Sequence, residues 1–258
     1  MTATSGYFVA GSSWLHRRNP LTKLLALGLI LLAAFVLPPV VLPVMAVAIG
    51  VAAWSAGLLR PMARAMRIPA LLLLSIVVVN ALFFPGPTNA LVTVGPLSVT
   101  QEGLTFGCIS AARLLVAFLA SVAFLFTTLA DDMLETLIAR GASHRIAFVV
   151  LSAIQLVPRM RSRASGILEA QQARGLSLEG SFLRRIRSLV PLIAPVLLGS
   201  LVDARERTFA LEARGFGARP GRTAYRIVAD PPVDRWLRIL IVVTAVGVVL
   251  VALGVIRR

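Results

Sequence analysis

Residues 24–59 carry no charged side chain. As one helix that run would be about 54 Å long at about 1.5 Å per residue, against a bilayer hydrocarbon core of about 30 Å. It fits neither a soluble helix nor a single span. Pro38 and Pro39 stand near its middle and cannot continue an i→i−4 ladder, so the sequence predicts a hairpin of two short apolar helices broken there. Arg17, Arg18 and Lys23 precede the run, and Arg60, Arg64 and Arg67 follow it. By the positive-inside bias this puts both ends of the hairpin, and the N-terminus, in the cytoplasm.

The rest of the chain agrees with a polytopic membrane protein, since 58% of its residues are hydrophobic and only 14% charged. The basic cluster from His16 to Lys23 opens onto an apolar tract far longer than the h-region of a signal peptide, so the first helix is expected to stay uncleaved. A third span is predicted from about Pro69 to Phe84. The following stretch, "PGPTNALVTVGPLSVTQEG", is rich in turn formers and free of Lys and Arg, so it is expected to face outward. A fourth span runs from about Leu104 to Ala130 and a fifth from Leu237 to Ile256, with Arg235 and Arg238 at its inner end. The expected fold is therefore an all-α polytopic membrane protein in the cell inner membrane. Residues 1–130 form its N-terminal transmembrane helices, 131–235 a cytoplasmic coupling region, and 236–258 the last transmembrane helix.

The net charge of +15 raises nucleic acid and anionic lipid as partners. Sixteen arginines fall within residues 131–235 together with ten of the eleven acids. A mixed-charge segment of this kind is not a basic nucleic-acid arm, so membrane lipid remains and nucleic acid does not. The segment alternates between apolar runs ("IAFVVLSAIQLVP", "SLVPLIAPVLLGSLV") and charged ones ("RMRSRASGILEAQQARG", "DARERTFALEARG"). Apolar runs this short are poor spans, and two long helices are predicted, each with an apolar root and a polar tip.

Both tips carry Ala-x-x-Ala-Arg-Gly, as Ala170, Ala173, Arg174 and Gly175 and again as Ala210, Ala213, Arg214 and Gly215. Glycine accepts the left-handed conformation that follows a helix C-cap, so each motif is expected to end its helix. The alanines and the arginine share one face by i, i+3 and i+4 spacing, and Gly166 extends that small-residue stripe in the first copy. Two readings stand on the residues alone. The patch admits a close-packed partner that the guanidinium grips in a fork, or the arginine merely complements the negative end of the helix dipole. A third Ala-Arg-Gly, Ala139 to Gly141, has Thr136 in place of the first alanine and is treated as a chance occurrence.

The paired tips resemble the transmembrane T component of energy-coupling factor (ECF) transporters, the EcfT/CbiQ family. "WLHRRNPLTKLL", "LTFGCISAARLLVAFLASVAFLFTTLADDMLETL" and above all "ALEARGFG" are similar to that family's strings, and the likeness covers roughly Leu15 to Gly217. The first tip departs from it with Gln171-Gln172 where the second has Leu211-Glu212. The resemblance implies an energy-coupling scaffold of an ABC importer for a vitamin or a transition-metal ion. Each arginine tip would dock on one of two cytoplasmic ATP-binding subunits, and the membrane part would hold a small substrate-binding membrane subunit.

Independently of any resemblance, a Walker A loop requires Gly-Lys-Ser/Thr, and the single lysine, Lys23, sits in "PLTKLL". The chain is not expected to be the ATPase. It offers no nucleophile, base and orienter set, no cofactor motif, and one cysteine, Cys108, without a partner. No catalytic, metal or cofactor residues are assigned. His16 and His144 are expected to be solvated, and Asp131, Asp132 and Glu135 to complement a helix N-terminus. Arg113 lies about 14 Å into the fourth span if that span starts at Leu104. It is either an intramembrane functional residue or, with a later helix start, one that snorkels to the interface. The competing function is a self-contained secondary transporter or channel with Arg113 in its pathway. Such carriers usually repeat between membrane halves, whereas the repeat here is in the tips.

Overall fold

The computed structural model describes residues 8, 9, 11, 13–84, 90–94, 97–176, 181–216 and 228–254. It divides into two compact units, Met1–Arg140 with Val228–Arg258, and Gly141–Ile227. The described chain is helical except for one hairpin. Its elements in order are α1 (Pro20–Val36), α2 (Val41–Ser55), α3 (Leu59–Ala65), α4 (Arg67–Phe83), β1 (Ala90–Val94), β2 (Leu97–Thr100), α5 (Gln101–Thr127), α6 (Ala130–Ala139), α7 (His144–Ala173), α8 (Phe182–Ala213) and α9 (Pro232–Ala252).

The first unit contains α1 to α6 and α9. Asn19 starts α1 by accepting the Leu21 amide at 3.0 Å, with Pro20 behind it, and the helix stops before Pro38-Pro39 as the sequence predicts. α3 and α4 meet at a bend of 53°. Its cause is local: Pro69 has no N–H to give the Ala65 carbonyl, so the ladder is broken one turn into α4. Among the described residues, α5 and α9 are each long and apolar enough to cross a membrane, and α3 with α4 makes a third candidate if the pair is one bent span. α1 and α2, at 17 and 15 residues, are apolar but shorter.

Small side chains set the packing of this unit. Ala34, Ala53 and Ala120 lie in its core with Leu42, Val116 and Phe126, bringing α1, α2 and α5 together. Between α4 and α5 the approach is closer still, because a Cβ on Gly103 would collide with the Asn80 carbonyl and one on Gly107 would lie 3.1 Å from the Val77 Cα. That is the Gly-x-x-x-Gly geometry by which membrane helices gain dispersion contact without a hydrophobic driving force. Many other large apolar side chains, such as Val47, Leu72 and Val246, point outward, as a lipid-facing surface requires.

The loop between α4 and α5 is not plain turn. β1 and β2 pair antiparallel within it, a hairpin that a purely helical expectation omits. Its sequence, with Val92, Val94 and Val99, has the β-branched content that favours strands. Thr100 closes the hairpin and opens α5, its buried hydroxyl accepting the Gly103 amide at 3.1 Å.

The second unit is built on α7 and α8. Met160 and Arg163 of α7 meet Ser200 and Asp203 of α8 about midway along each helix. Phe216, just beyond α8, stacks against Phe148 and His144 near the start of α7, so the two helices run in opposite senses through the crossing. Pro158 sits inside α7.

Candidate docking site

Both Ala-Arg-Gly tips end their helices in the same way. In α7 the Gly175 amide donates to the Gln172 carbonyl and the Leu176 amide to the Gln171 carbonyl, each at 2.9 Å, with Gly175 at φ +94°. In α8 the Gly215 amide donates to Glu212 and the Phe216 amide to Leu211, each again at 2.9 Å, with Gly215 at φ +71°. This is the Schellman cap, which needs a left-handed residue where each motif supplies glycine. The burial pattern repeats as well. Gln171 and Leu176 are half-buried, as are Leu211 and Phe216, and the four residues between each pair are exposed.

Ala170, Ala173, Ala210 and Ala213 therefore present open small-residue surfaces, and Gly166 has nothing within 4 Å of where a Cβ would stand. Among the described residues the guanidinium of neither Arg174 nor Arg214 has a hydrogen-bond or ion-pair partner. The tips lie on opposite sides of the α7–α8 crossing, which a fork of charge-assisted bonds holds. Arg163 Nη1 donates to Asp203 Oδ2 at 2.7 Å and Nη2 to Oδ1 at 3.0 Å. Gly199 leaves room for that guanidinium, since a Cβ there would approach its Cζ to 3.1 Å.

The third Ala-Arg-Gly also stops a helix, with Gly141 at φ +97° after α6. Its arginine is engaged differently: Arg140 Nη2 donates to Asp230 Oδ2 at 3.3 Å within its own unit. The tripeptide thus encodes a helix stop in all three places, and what separates the Arg174 and Arg214 side chains from that of Arg140 is the lack of an acceptor among the described residues.

Arg113 lies twelve residues into α5, roughly 18 Å from its first residue. The helix starts before Leu104, not after it. The side chain is half-buried, and its Nε is sealed from solvent with no partner among the described residues. Asp131 and Asp132 fall in the first turn of α6, where their charge suits the dipole. Cys108 faces outward from α5.

His144 is exposed, its ring 6.0 Å from that of Phe216. His16 is not solvated as expected. Its ring is half-buried, with Nδ1 2.6 Å from the Ser13 hydroxyl, Nε2 3.0 Å from the Val9 carbonyl, and Phe8 edge-on. Burial holds its pKa below the usual 6.5; the Val9 carbonyl opposes that shift and the Lys23 charge adds to it.

That histidine borders a polar knot that the residue types alone did not disclose. Asp234, wholly buried at the start of α9, accepts the Asn19 amide at 2.9 Å and Arg18 Nη1 at 3.1 Å. Asn19 in turn donates to the Ala229 carbonyl at 3.3 Å. Lys23, the chain's single lysine, is buried and donates to the last carbonyl of α5, that of Thr127, at 2.7 Å and to that of His16 at 3.3 Å. The ends of α1, α5 and α9 are thereby tied together, and within "HRRNPLTK" His16, Arg18, Asn19 and Lys23 each acquire a structural reason.

Comparison with known proteins adds an independent line. The family profile CbiQ, described as cobalt transport protein, matches residues 11–225. An "Energy-coupling factor transporter transmembrane protein EcfT" from Heliobacterium modesticaldum is 31% identical over 86% of this chain and 87% of its own length. One of the same name from Lacticaseibacillus paracasei is 32% identical over 86% of this chain and 88% of its own. A "Putative ABC transporter ATP-binding protein" from Bifidobacterium longum is 31% identical over 83% of this chain, a match that occupies 29% of that longer protein.

Proposed function

Because this chain belongs to the CbiQ family and its relatives include EcfT transmembrane proteins, we propose that it is the energy-coupling scaffold of an ECF-type ABC importer. In this reading it crosses the cell membrane five times from a cytoplasmic N-terminus and carries out no catalysis itself. Two cytoplasmic subunits hydrolyse ATP. One docks on Ala170, Ala173, Arg174 and Gly175, the other on Ala210, Ala213, Arg214 and Gly215. A separate small membrane subunit captures a vitamin or a transition-metal ion, and Arg113 offers that membrane layer a charged contact.

The observation that carries this reading is the duplication itself: two helix ends share one cap, one burial pattern and a guanidinium without a partner among the described residues, on opposite sides of a crossing. A guanidinium beside small residues suits a carboxylate or carbonyl in a partner's groove. The relative named as an ATP-binding protein gives further support, because a stretch similar to this chain occupies 29% of it and leaves the larger part for other functions. Arg113 favours the rival reading, a carrier with that arginine in its path.

Affinity purification of the tagged full chain from its own membranes separates the two. The scaffold brings down two ATP-binding subunits and a small membrane protein, and transports nothing when reconstituted alone. Uptake by the isolated chain would establish the carrier instead.

A further inference from the structure

In the first unit, a cluster of unbalanced charge lies where α1 and α9 run side by side. Asp230 is ringed by three arginines: Arg238 Nη2 at 2.9 Å, Arg140 Nη2 at 3.3 Å and Arg235 Nε at 3.9 Å. One carboxylate cannot balance three guanidiniums. Arg238 is more than nine-tenths buried, and its Nη1 has no acceptor among the described residues. Arg140 and Arg235 remain substantially exposed.

These groups line one end of a groove of about 670 Å³. Its other walls are apolar: Leu21 and Leu25 from α1, Ile239 and Val243 from α9. Ile239 and Val243 stand one and five residues past Arg238, so the apolar wall extends roughly 2–8 Å beyond the last charge along the helix. A cationic end at the charged helix termini thus continues into a shallow, open groove with apolar walls.

We propose that this groove binds the phosphate of an anionic glycerophospholipid, with Arg140, Arg235 and Arg238 around the headgroup and an acyl chain along α1 and α9. The shared chemistry is a phosphate anion, and basic pockets between membrane helices recognise such headgroups. The apolar walls select a lipid over free phosphate, which could use only the cationic end. Lipid would add an anion where, among the described residues, three guanidiniums share one carboxylate, and would cover leucine and valine surface in the same step. This site does not depend on the docking role of the tips, since it is assembled entirely within the other unit.

The test is native mass spectrometry of the full chain, purified with its partners and stripped of lipid in neutral detergent. Dioleoylphosphatidylglycerol, dioleoylphosphatidylcholine and inorganic phosphate are titrated separately. One phosphatidylglycerol should be retained at concentrations where phosphatidylcholine is not. Arg140→Gln and Arg235→Gln should each weaken it about fivefold, and the exposed Arg67→Gln, at a different helix end, should leave it unchanged. Unaltered melting temperatures in neutral detergent would show that the variants remain folded, and Arg238 is left intact for that reason. Equal retention of phosphatidylcholine, equal weakening by Arg67→Gln, or full binding by Arg140→Gln with Arg235→Gln would each overturn the site. Displacement of phosphatidylglycerol by equimolar inorganic phosphate would overturn the lipid assignment.

Discussion

Arg163 and Asp203 pair through two hydrogen bonds, 2.7 and 3.0 Å long, and each stands eleven residues before the arginine that caps its own helix, Arg174 or Arg214. The 40-residue offset that separates the tips is therefore also the offset of the pair that joins the helices. Each arm from the pair to its tip is about 16 Å long.

That fork should resist a conservative exchange. Lysine can keep the charge of Arg163 but cannot form two parallel bonds, so Arg163→Lys is expected to behave nearly as Arg163→Ala does. Both side chains are partly exposed, which limits the coupling to about 0.5–1 kcal/mol. A double-mutant cycle with Asp203→Ala, read by thermal unfolding in detergent, measures it, and a coupling near zero would remove the pair as the joint of the crossing.

At the tips, Arg174→Ala with Arg214→Ala should release the ATP-binding subunits and abolish ATP-driven uptake, with membrane insertion unchanged. Each single change should be milder. Loss of a buried charged contact costs on the order of 2–5 kcal/mol, whereas a rim contact costs under about 1 kcal/mol. Arg140→Ala should spare capture, because that arginine already faces Asp230. Pull-down and uptake on all four variants decide the matter; normal capture by the double variant, or loss confined to Arg140→Ala, would refute the docking role.

Removing Asp234 should loosen α1 from α9. Asp234→Ala leaves the Asn19 amide and Arg18 without their acceptor at a fully buried position, a class of change that costs about 3 kcal/mol or more. Asp234→Asn keeps one acceptor and should cost less. The order of melting temperatures is the readout: wild type, then Asn, then Ala.

His16 predicts an acid sensitivity. Its folded pKa lies below 6.5, so the stability it contributes is complete above about pH 7 and is lost as pH falls through the lowered folded value. Between about pH 7.5 and about pH 5.5 the wild type should therefore lose more melting temperature than His16→Gln, which cannot titrate. Parallel curves for the two proteins would show that His16 is not the group responsible.

Topology is open to chemical labelling. With Cys108 replaced by serine, a cysteine at position 98 in the hairpin should react with an impermeant maleimide on intact cells, and one at position 180 should not. Position 180 lies outside the described residues. External labelling there would place the tips on the wrong face for cytoplasmic partners.

Features governed by neighbouring residues were legible in the sequence. Pro38-Pro39 breaks a helix by removing donors, and Gly175 and Gly215 end helices by accepting positive φ, so each was visible within a few residues. The long-range polar contacts were not. Nothing near Asn19 or Asp234 says that they meet across 215 positions, or that Lys23 reaches Thr127. His16 was misjudged for the same reason, since its burial comes from Phe8 and Val9 folding back, while its flanking arginines suggested water. Arg163 and Asp203 did leave a trace, since their 40-residue spacing equals that of the two Ala-Arg-Gly tips. The hairpin's valines were present, yet a two-stranded ribbon is marginal by itself and was outweighed by the turn residues around it.

Equal arms have a mechanical meaning. If opposed displacements of equal size act on Arg174 and Arg214, the Arg163–Asp203 joint, midway between them, stays in place and the helix pair pivots about it. Four residues inserted between Asp203 and Arg214 would lengthen one lever by about 6 Å, so the same opposed displacements would carry the joint sideways.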